Sequence, residues 1–200
     1  MKLSLLSVSI LLSTTIGLTG CNDEQQTMSN AVHGLHLQSA KQFSSAAEIL
    51  DDDIASLCRH YSEEQLLTTR TAWQNTMSAW MQLQGREKGS EEALALSWQI
   101  QFWPDKKDTT GRKLKQLLKQ DKMWTASDVS EESIAVQGMG AIEWFLYEQP
   151  TQLQEAKGCN LANGIGDRIA QSGQQLEEAW QDNPWQQMTP QLALSEYLGH

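Results

Sequence analysis

The sequence predicts an all-α protein, a helical bundle, on three observations. Only four Val and four Pro occur in 200 residues, no Pro precedes position 104, and Gln and Leu abound, which disfavours a mostly β fold. Apolar residues recur three or four apart over long stretches, the period of an amphipathic helix. Ser62 and Ser90 stand as caps where two such stretches begin. With 40% apolar and 20% charged residues, the chain is too apolar for a disordered protein. Its formal charge of −10 has the wrong sign for a general nucleic-acid binder, so no nucleic-acid partner is expected.

The first twenty residues read as a secretory signal rather than as fold. Lys2 is a short positive n-region, Leu3 to Gly17 is an uncharged apolar run, and Leu18-Thr19-Gly20 leads to Cys21. Leu-Thr-Gly-Cys resembles the bacterial lipobox, which implies cleavage before Cys21 and lipidation of its sulfur. Acyl chains such as palmitate bury about 0.8 kcal/mol per methylene, so several of them on one residue anchor a protein stably. The alternative is a secreted protein with an incidental Cys. Asn22 after the Cys favours the outer membrane, and the expected location is the periplasmic face of a bacterial membrane. Residues 1–20 are thus a signal peptide, 21–30 a polar tether, and 31–200 the helical domain. No later segment is long and apolar enough to span a bilayer.

Cys58 and Cys159 remain. In an oxidising compartment an even pair suggests a disulfide, here closing a loop of about 100 residues worth up to roughly 4.7 kcal/mol. Two buried free thiols are the alternative.

The helices follow in order. Phe43, Ala46, Ala47, Leu50, Ile54, Leu57, Cys58 and Tyr61 stripe a helix from about Ala31 to Tyr61. Ser62-Glu63-Glu64-Gln65 starts a second, striped by Leu66, Arg70, Trp73, Met77 and Trp80 and ended by Gly85 to Gly89. Residues 90–103 alternate like a strand, but no second segment offers a partner, and Ser90 with two Glu suits a helix start; helix is predicted, stopped by Pro104. Over 105–122, Lys106, Lys107, Arg112, Lys113, Lys115, Lys119 and Lys122 outnumber Asp105, Asp108 and Asp121, the pattern of a solvated face, with contact to anionic lipid or an acidic partner as the alternative. One helix is predicted over 130–148, capped by Ser130 and ended before Pro150. Another runs from Cys159 to Trp180, striped by Leu161, Ile165, Ile169, Leu176 and Trp180, and a last one begins near 189.

The segment 137–147 is the least ordinary. Two glycines, Gly138 and Gly140, each cost a helix about 1 kcal/mol against Ala and call for a reason, such as close approach of a backbone or a ligand. Glu143 stands among large apolar residues, where a carboxylate is costly unless paired or metal-bound. It either pairs with Arg70 or Tyr147 or lines a cleft that takes a metal or cationic ligand. His33 and His36 are spaced to chelate from one helix face, though structural roles are the commoner outcome; His60 and His200 carry no pattern. Asp51-Asp52-Asp53 reads as a solvated acidic patch, since consecutive side chains on a helix diverge. His-Glu-x-x-His, which aims two imidazoles at one metal, does not occur.

Gly-Met-Gly-Ala-Ile-Glu-Trp-Phe-Leu-Tyr at 138–147 resembles the signature helix of the imelysin family, also called peptidase M75, whose motif has the form Gly-x-His-x-x-Glu. The Trp73–Trp80 helix, Phe102-Trp103-Pro104-Asp105 and Cys-Asn-Leu-Ala at Cys159 agree in order, so the resemblance covers about 35–185. It implies a periplasmic or lipid-anchored up-and-down four-helix-bundle half, the N-terminal one of two. It further implies association with iron or haem uptake, with metal binding in some members, or a metallopeptidase activity. Gly140 stands in the position of the motif's His. What carries over is Gly138 and Glu143, and one carboxylate is a poor metal site. The expected function is therefore a non-enzymatic binding lipoprotein with a ligand cleft at Gly138, Gly140, Glu143 and Arg70. A divalent metal or iron bound through Glu143, or a periplasmic protein, is its possible ligand. A metallopeptidase and a truncated remnant without a ligand are the alternatives.

Overall fold

Three long helices carry the molecule in the computed structural model, which describes residues 20–86, 89–186, 189, 192 and 195, with side chains from Thr27 onward. They are α1 (Gly20–Arg59), α2 (Glu63–Met81) and α7 (Ala156–Ala179). The shorter α3 (Glu91–Ile100), α4 (Thr109–Leu117), α5 (Ala126–Ser130) and α6 (Met139–Glu143) lie between α2 and α7 in the chain. No strand occurs among the described residues. None of their helices is long and apolar enough to cross a membrane.

The helix α1 starts well before Ala31, so the polar segment 21–30 is helical; it holds no Pro or Gly, and Glu, Gln and Met are good helix formers. The expected signal lies almost wholly outside the described residues, as do the side chain of Cys21, His200 and most of the helix expected from 189.

Both long neighbours of α1 run antiparallel to it. Against α7, a Cβ on Gly173 would lie 2.9 Å from Ser44 and one on Gly166 2.6 Å from Asp51. Cys58 is disulfide-bonded to Cys159 with Cα atoms 5.4 Å apart. These three contacts descend one helix as they climb the other. Against α2, the hydroxyls of Thr69 and Thr76 donate to Asp53 O at 3.3 Å and Ala46 O at 2.9 Å. The stripe of α1 is buried as its period predicts, through Phe43, Ala47, Leu50, Ile54 and Leu57, and that of α7 through Leu161, Ile165, Ile169, Leu176 and Trp180.

The face of α2 is rotated by about one position from the expected stripe. Leu66, Thr69, Ala72, Thr76 and Trp80 are buried, and Arg70, Trp73 and Met77 lie at its border. The two threonines can enter the core because each hydroxyl also donates to the carbonyl four residues back, Gln65 and Ala72, at 2.9 Å.

Residues 91–100 form the helix α3, whose cap Ser90 accepts from Ala93 N at 3.1 Å. Ala93, Leu96 and Ile100 face the core while Leu94 and Trp98 face out, so the strand-like alternation mixes two helix faces. The basic segment is α4: Leu114 and Leu117 are buried, and Arg112, Lys113, Lys115 and Lys119 are exposed, a solvated face.

The single helix expected over 130–148 is broken. Ser130 ends α5, which starts instead at Thr125 with a capping box to Asp128. A 3-10 turn covers Ile134–Val136, α6 follows Gly138, and Trp144–Glu148 is a π turn in which Gln149 N donates to Trp144 O at 2.9 Å. The break is at Gly138, whose extended backbone starts α6. A Cβ there would lie 2.2 Å from both Gln99 O and Ile100 O, so a side chain is excluded by the end of α3.

Candidate functional site

The loop 101–108 is tied to the start of α4. The carboxylate of Asp105 accepts from Thr109 N at 2.7 Å and Thr110 N at 2.8 Å, and Asp108 Oδ1 accepts from Gly111 N at 3.1 Å. These are the N–H groups that a helix start leaves without partners. Burial works to raise Asp105, but the N–H groups of Thr110 and Thr109 prevail and hold its carboxyl below the usual range. Phe102 and Trp103 are thereby presented beside α4, with Trp103 67% exposed.

The opposite wall is α6 and the π turn, held in place by α2. Arg70 Nε and Nη2 donate to Leu146 O at 3.0 and 2.6 Å, and Trp73 Nε1 donates to Met139 O at 3.0 Å. The Arg70 guanidinium stacks 5.0 Å over the Tyr147 ring, whose hydroxyl accepts from Gln74 Nε2 at 3.2 Å.

Between these walls lies a cleft of about 390 Å³. Phe102, Trp103 and Trp144 give it aromatic surface, and Asp105, Asp108, Glu143 and Glu148 give it charge; among the described residues no basic side chain lines it. Gly140 opens into it, since a Cβ there would meet nothing within 4 Å. Partial burial, followed by the charge of Glu148, pushes the Glu143 carboxyl above the usual carboxylate range.

The expected ligand residues therefore divide. Gly140 and Glu143 line the cleft. Gly138 and Arg70 do not: the first packs against α3, and the second acts on the backbone of the wall. The Arg70–Glu143 pair and the Tyr147–Glu143 hydrogen bond are both corrected, because Leu146 O takes the guanidinium and Gln74 engages the phenol. Sequence reasoning missed Asp108, Gly111, Trp144 and Glu148 as lining residues. Asp108-Thr109-Thr110-Gly111 carried a usable sign, an N-cap residue at a helix start; Glu148 carried none.

The other candidates are structural. His33 Nε2 donates to Trp180 O at 2.7 Å and His36 Nδ1 to Val32 O at 2.9 Å, and His36 packs against the rings of Trp180 and Trp185. His60 is exposed. The three consecutive aspartates diverge as expected, but they are not the wholly solvated patch the sequence suggested: Asp52 is exposed, whereas Asp53 and Asp51 are half-buried, facing Gln65 and Asp167 of α7. Burial first, then the charge and hydrogen bond of Asp167, push Asp51 up to about 7.

The model of the imelysin family, peptidase M75, matches residues 36–199. The chain belongs to the imelysin family. A solved imelysin-like protein from Psychrobacter arcticus 273-4 shares the fold at a TM-score of 0.69 and 17% identity, over 98% of this chain and 58% of that one. The chain thus spans less than two thirds of that structure's length. Comparison with curated proteins returns no match. The two segments that carry the family resemblance, 102–105 and 137–147, form the two walls of the cleft.

A metal of the kind a metallopeptidase needs does not fit these residues. Among the described residues no three His, Cys, Asp or Glu side chains converge. Gly140 supplies no imidazole, and Asp105 and Asp108 are occupied by backbone N–H groups. A closed zinc site takes four ligands and a catalytic one three.

Proposed function

We propose that this imelysin-family chain is a lipid-anchored binding protein, held by Cys21 on the periplasmic face of a bacterial membrane, with the outer membrane favoured. The cleft around Glu143 receives a positively charged ligand. One observation carries this reading: four carboxylates and three aromatic side chains line the same cleft, with no basic residue among the described lining residues. Such a wall attracts cations and repels anions. Haem would bring its own carboxylates against these four, and no three donors converge on a bare ion among the described residues, so a cationic complex or an organic cation suits the cleft better.

The test is thermal unfolding of the full chain in detergent. It is scanned with Fe, Zn and Cu ions and with organic amines, and repeated for Glu143→Gln. A ligand that binds only the folded state raises the transition. A rise that the variant loses supports the reading, and no rise with any ligand refutes it. Loss of a cooperative transition altogether would favour a remnant without a ligand. Labelling with a palmitate analogue that disappears in Cys21→Ser tests the anchor.

A further inference from the structure

We propose that the face formed by α4 and its two flanking loops docks on an anionic lipid bilayer, with Trp103 and Met123 entering the headgroup layer at either end of the lysines. This goes beyond the cleft and does not depend on its ligand.

Charge is unevenly placed in this acidic chain. Seven of its fifteen Lys and Arg fall within residues 105–122, although the whole chain carries −10. Arg112, Lys115 and Lys119 recur three and four positions apart and so share one side of α4 and the turn after it. Lys113 stands beside them, and Lys106 and Lys107 lie in the loop before the helix; all six are exposed.

The acidic neighbours do not cancel these charges. Asp105 and Asp108 accept from backbone N–H groups at the start of α4, and Asp121 pairs with Lys157 of α7 at 3.3 Å. Lys122 pairs with Asp128 at 2.8 Å, but among the described residues the other six cations make no ion pair. An anionic bilayer surface answers all six at once, each worth about a fivefold gain in binding. The acidic remainder of the chain is repelled by the same surface, which turns the α4 face towards it.

The apolar side chains decide the kind of partner. Met123 is 77% exposed and Trp103 67%, the two highest values among the large apolar side chains described. One follows Lys122 directly and the other shortly precedes Lys106, so each stands beside a cation. They lie at opposite ends of α4, whose nine residues span about 13 Å. The core of a protein interface is a contiguous, shape-matched patch. A bilayer instead admits separate apolar side chains among lysines without a matching shape, and an indole is suited to headgroup depth. An acidic protein would match the charge but leave these two side chains unexplained. Together with the anchor proposed at Cys21, a second contact at α4 would fix how the chain lies on its membrane.

Lysine footprinting on vesicles tests this. The full chain is incorporated into vesicles of phosphatidylglycerol or of phosphatidylcholine, recovered by flotation and acetylated. Each lysine is followed by mass spectrometry, with the exposed Lys41 of α1 as the internal reference. In phosphatidylglycerol, Lys106, Lys107, Lys113, Lys115 and Lys119 should react at least about threefold more slowly than in phosphatidylcholine, relative to Lys41. The difference should vanish in about 1 M NaCl, where the screening length is about 3 Å. Lys113→Gln with Lys115→Gln and Lys119→Gln changes only exposed positions, so the variant folds. Its docking equilibrium should fall by about a hundredfold, and Lys106 and Lys107 should lose their protection. Brominated phosphatidylglycerol should quench tryptophan emission, and Trp103→Phe, but not Trp98→Phe, should remove most of that quenching.

Equal acetylation in the two lipids, with the chain floating in both, overturns the proposal and leaves the Cys21 anchor standing. Protection that survives in the triple variant, or quenching that Trp103→Phe leaves unchanged, also overturns it. Flotation with phosphatidylglycerol alone, lost in the triple variant, supports docking and refutes the anchor; flotation with neither lipid refutes both. Protection by poly-glutamate without protection by phosphatidylglycerol assigns the face to an acidic protein instead.

Discussion

The α1–α7 pair and the walls of the cleft are held by different means. Along α1 and α7 two apolar stripes interlock over most of their shared length, closed at one end by Cys58–Cys159. Around the cleft the elements are short, and single contacts to backbone carbonyls set their positions. Arg70 holds Leu146 O, Trp73 holds Met139 O, and Gly138 lies against Gln99 O and Ile100 O. The frame is redundant, so one lost contact lowers its stability without moving it. The cleft is not, so one lost contact can move a wall.

Four measurements press on this contrast. The largest effect belongs to the frame. Reducing the disulfide, or Cys58→Ala with Cys159→Ala, frees a loop of 101 residues and should cost about 4–5 kcal/mol in urea unfolding. A single transition that moves to lower denaturant would show the frame weakened as a unit; an unmoved midpoint would remove the disulfide from its support.

Gly138→Ala should come next, at about 3 kcal/mol, because its methyl meets main-chain atoms that cannot swing aside. It should also abolish ligand-induced stabilisation, since the displaced segment carries Glu143. Retained ligand response would show that the wall tolerates the shift.

Asp51→Asn probes a polar contact of the frame, the carboxyl pair of Asp51 and Asp167. The raised carboxyl of Asp51 means that the folded state binds more protons than the unfolded state between about pH 4 and 7. Its contribution to stability is therefore present in acid and lost as pH rises towards 7. Removing the ionisable group should stabilise the protein at pH 8, by about 1–2 kcal/mol once solvent screening is allowed for, and by little at pH 4. A gain of equal size at both pH values would dissociate the effect from ionisation.

The smallest effect is expected at Gly140→Ala. Its methyl meets no atom and improves helix propensity, for a change within about 1 kcal/mol and towards higher stability. Two glycines two positions apart should thus differ by several-fold in cost and in sign. Equal destabilisation by both would refute the separation of a packing glycine from a cleft glycine.

The helical class, the three long helices, the apolar stripes of α1 and α7 and the family motif were legible in the chain, because each shows within a short stretch of sequence. The helix 91–100 was legible only through Ser90, since its alternating apolar residues serve both faces. The buried face of α2 was misplaced because Thr69 and Thr76 hide their hydroxyls in local hydrogen bonds, which polarity alone does not reveal. In the site, Glu143 and Gly140 were found from the motif, whereas Arg70 was assigned the wrong partner. Its acceptor is a main-chain carbonyl 76 residues away, and every residue has one of those.

By itself the sequence determined the helical class, the buried stripes of α1 and α7 and which family the chain joins, since local periodicity and a short motif suffice for that. Only the tertiary structure decided that 130–148 would break at Gly138, that Arg70 would hold a wall rather than pair with Glu143, and that Phe102 to Asp105 would face Glu143 across a cleft. Those outcomes depend on carbonyls and side chains brought together from distant parts of the chain, where no local pattern records the distance between them.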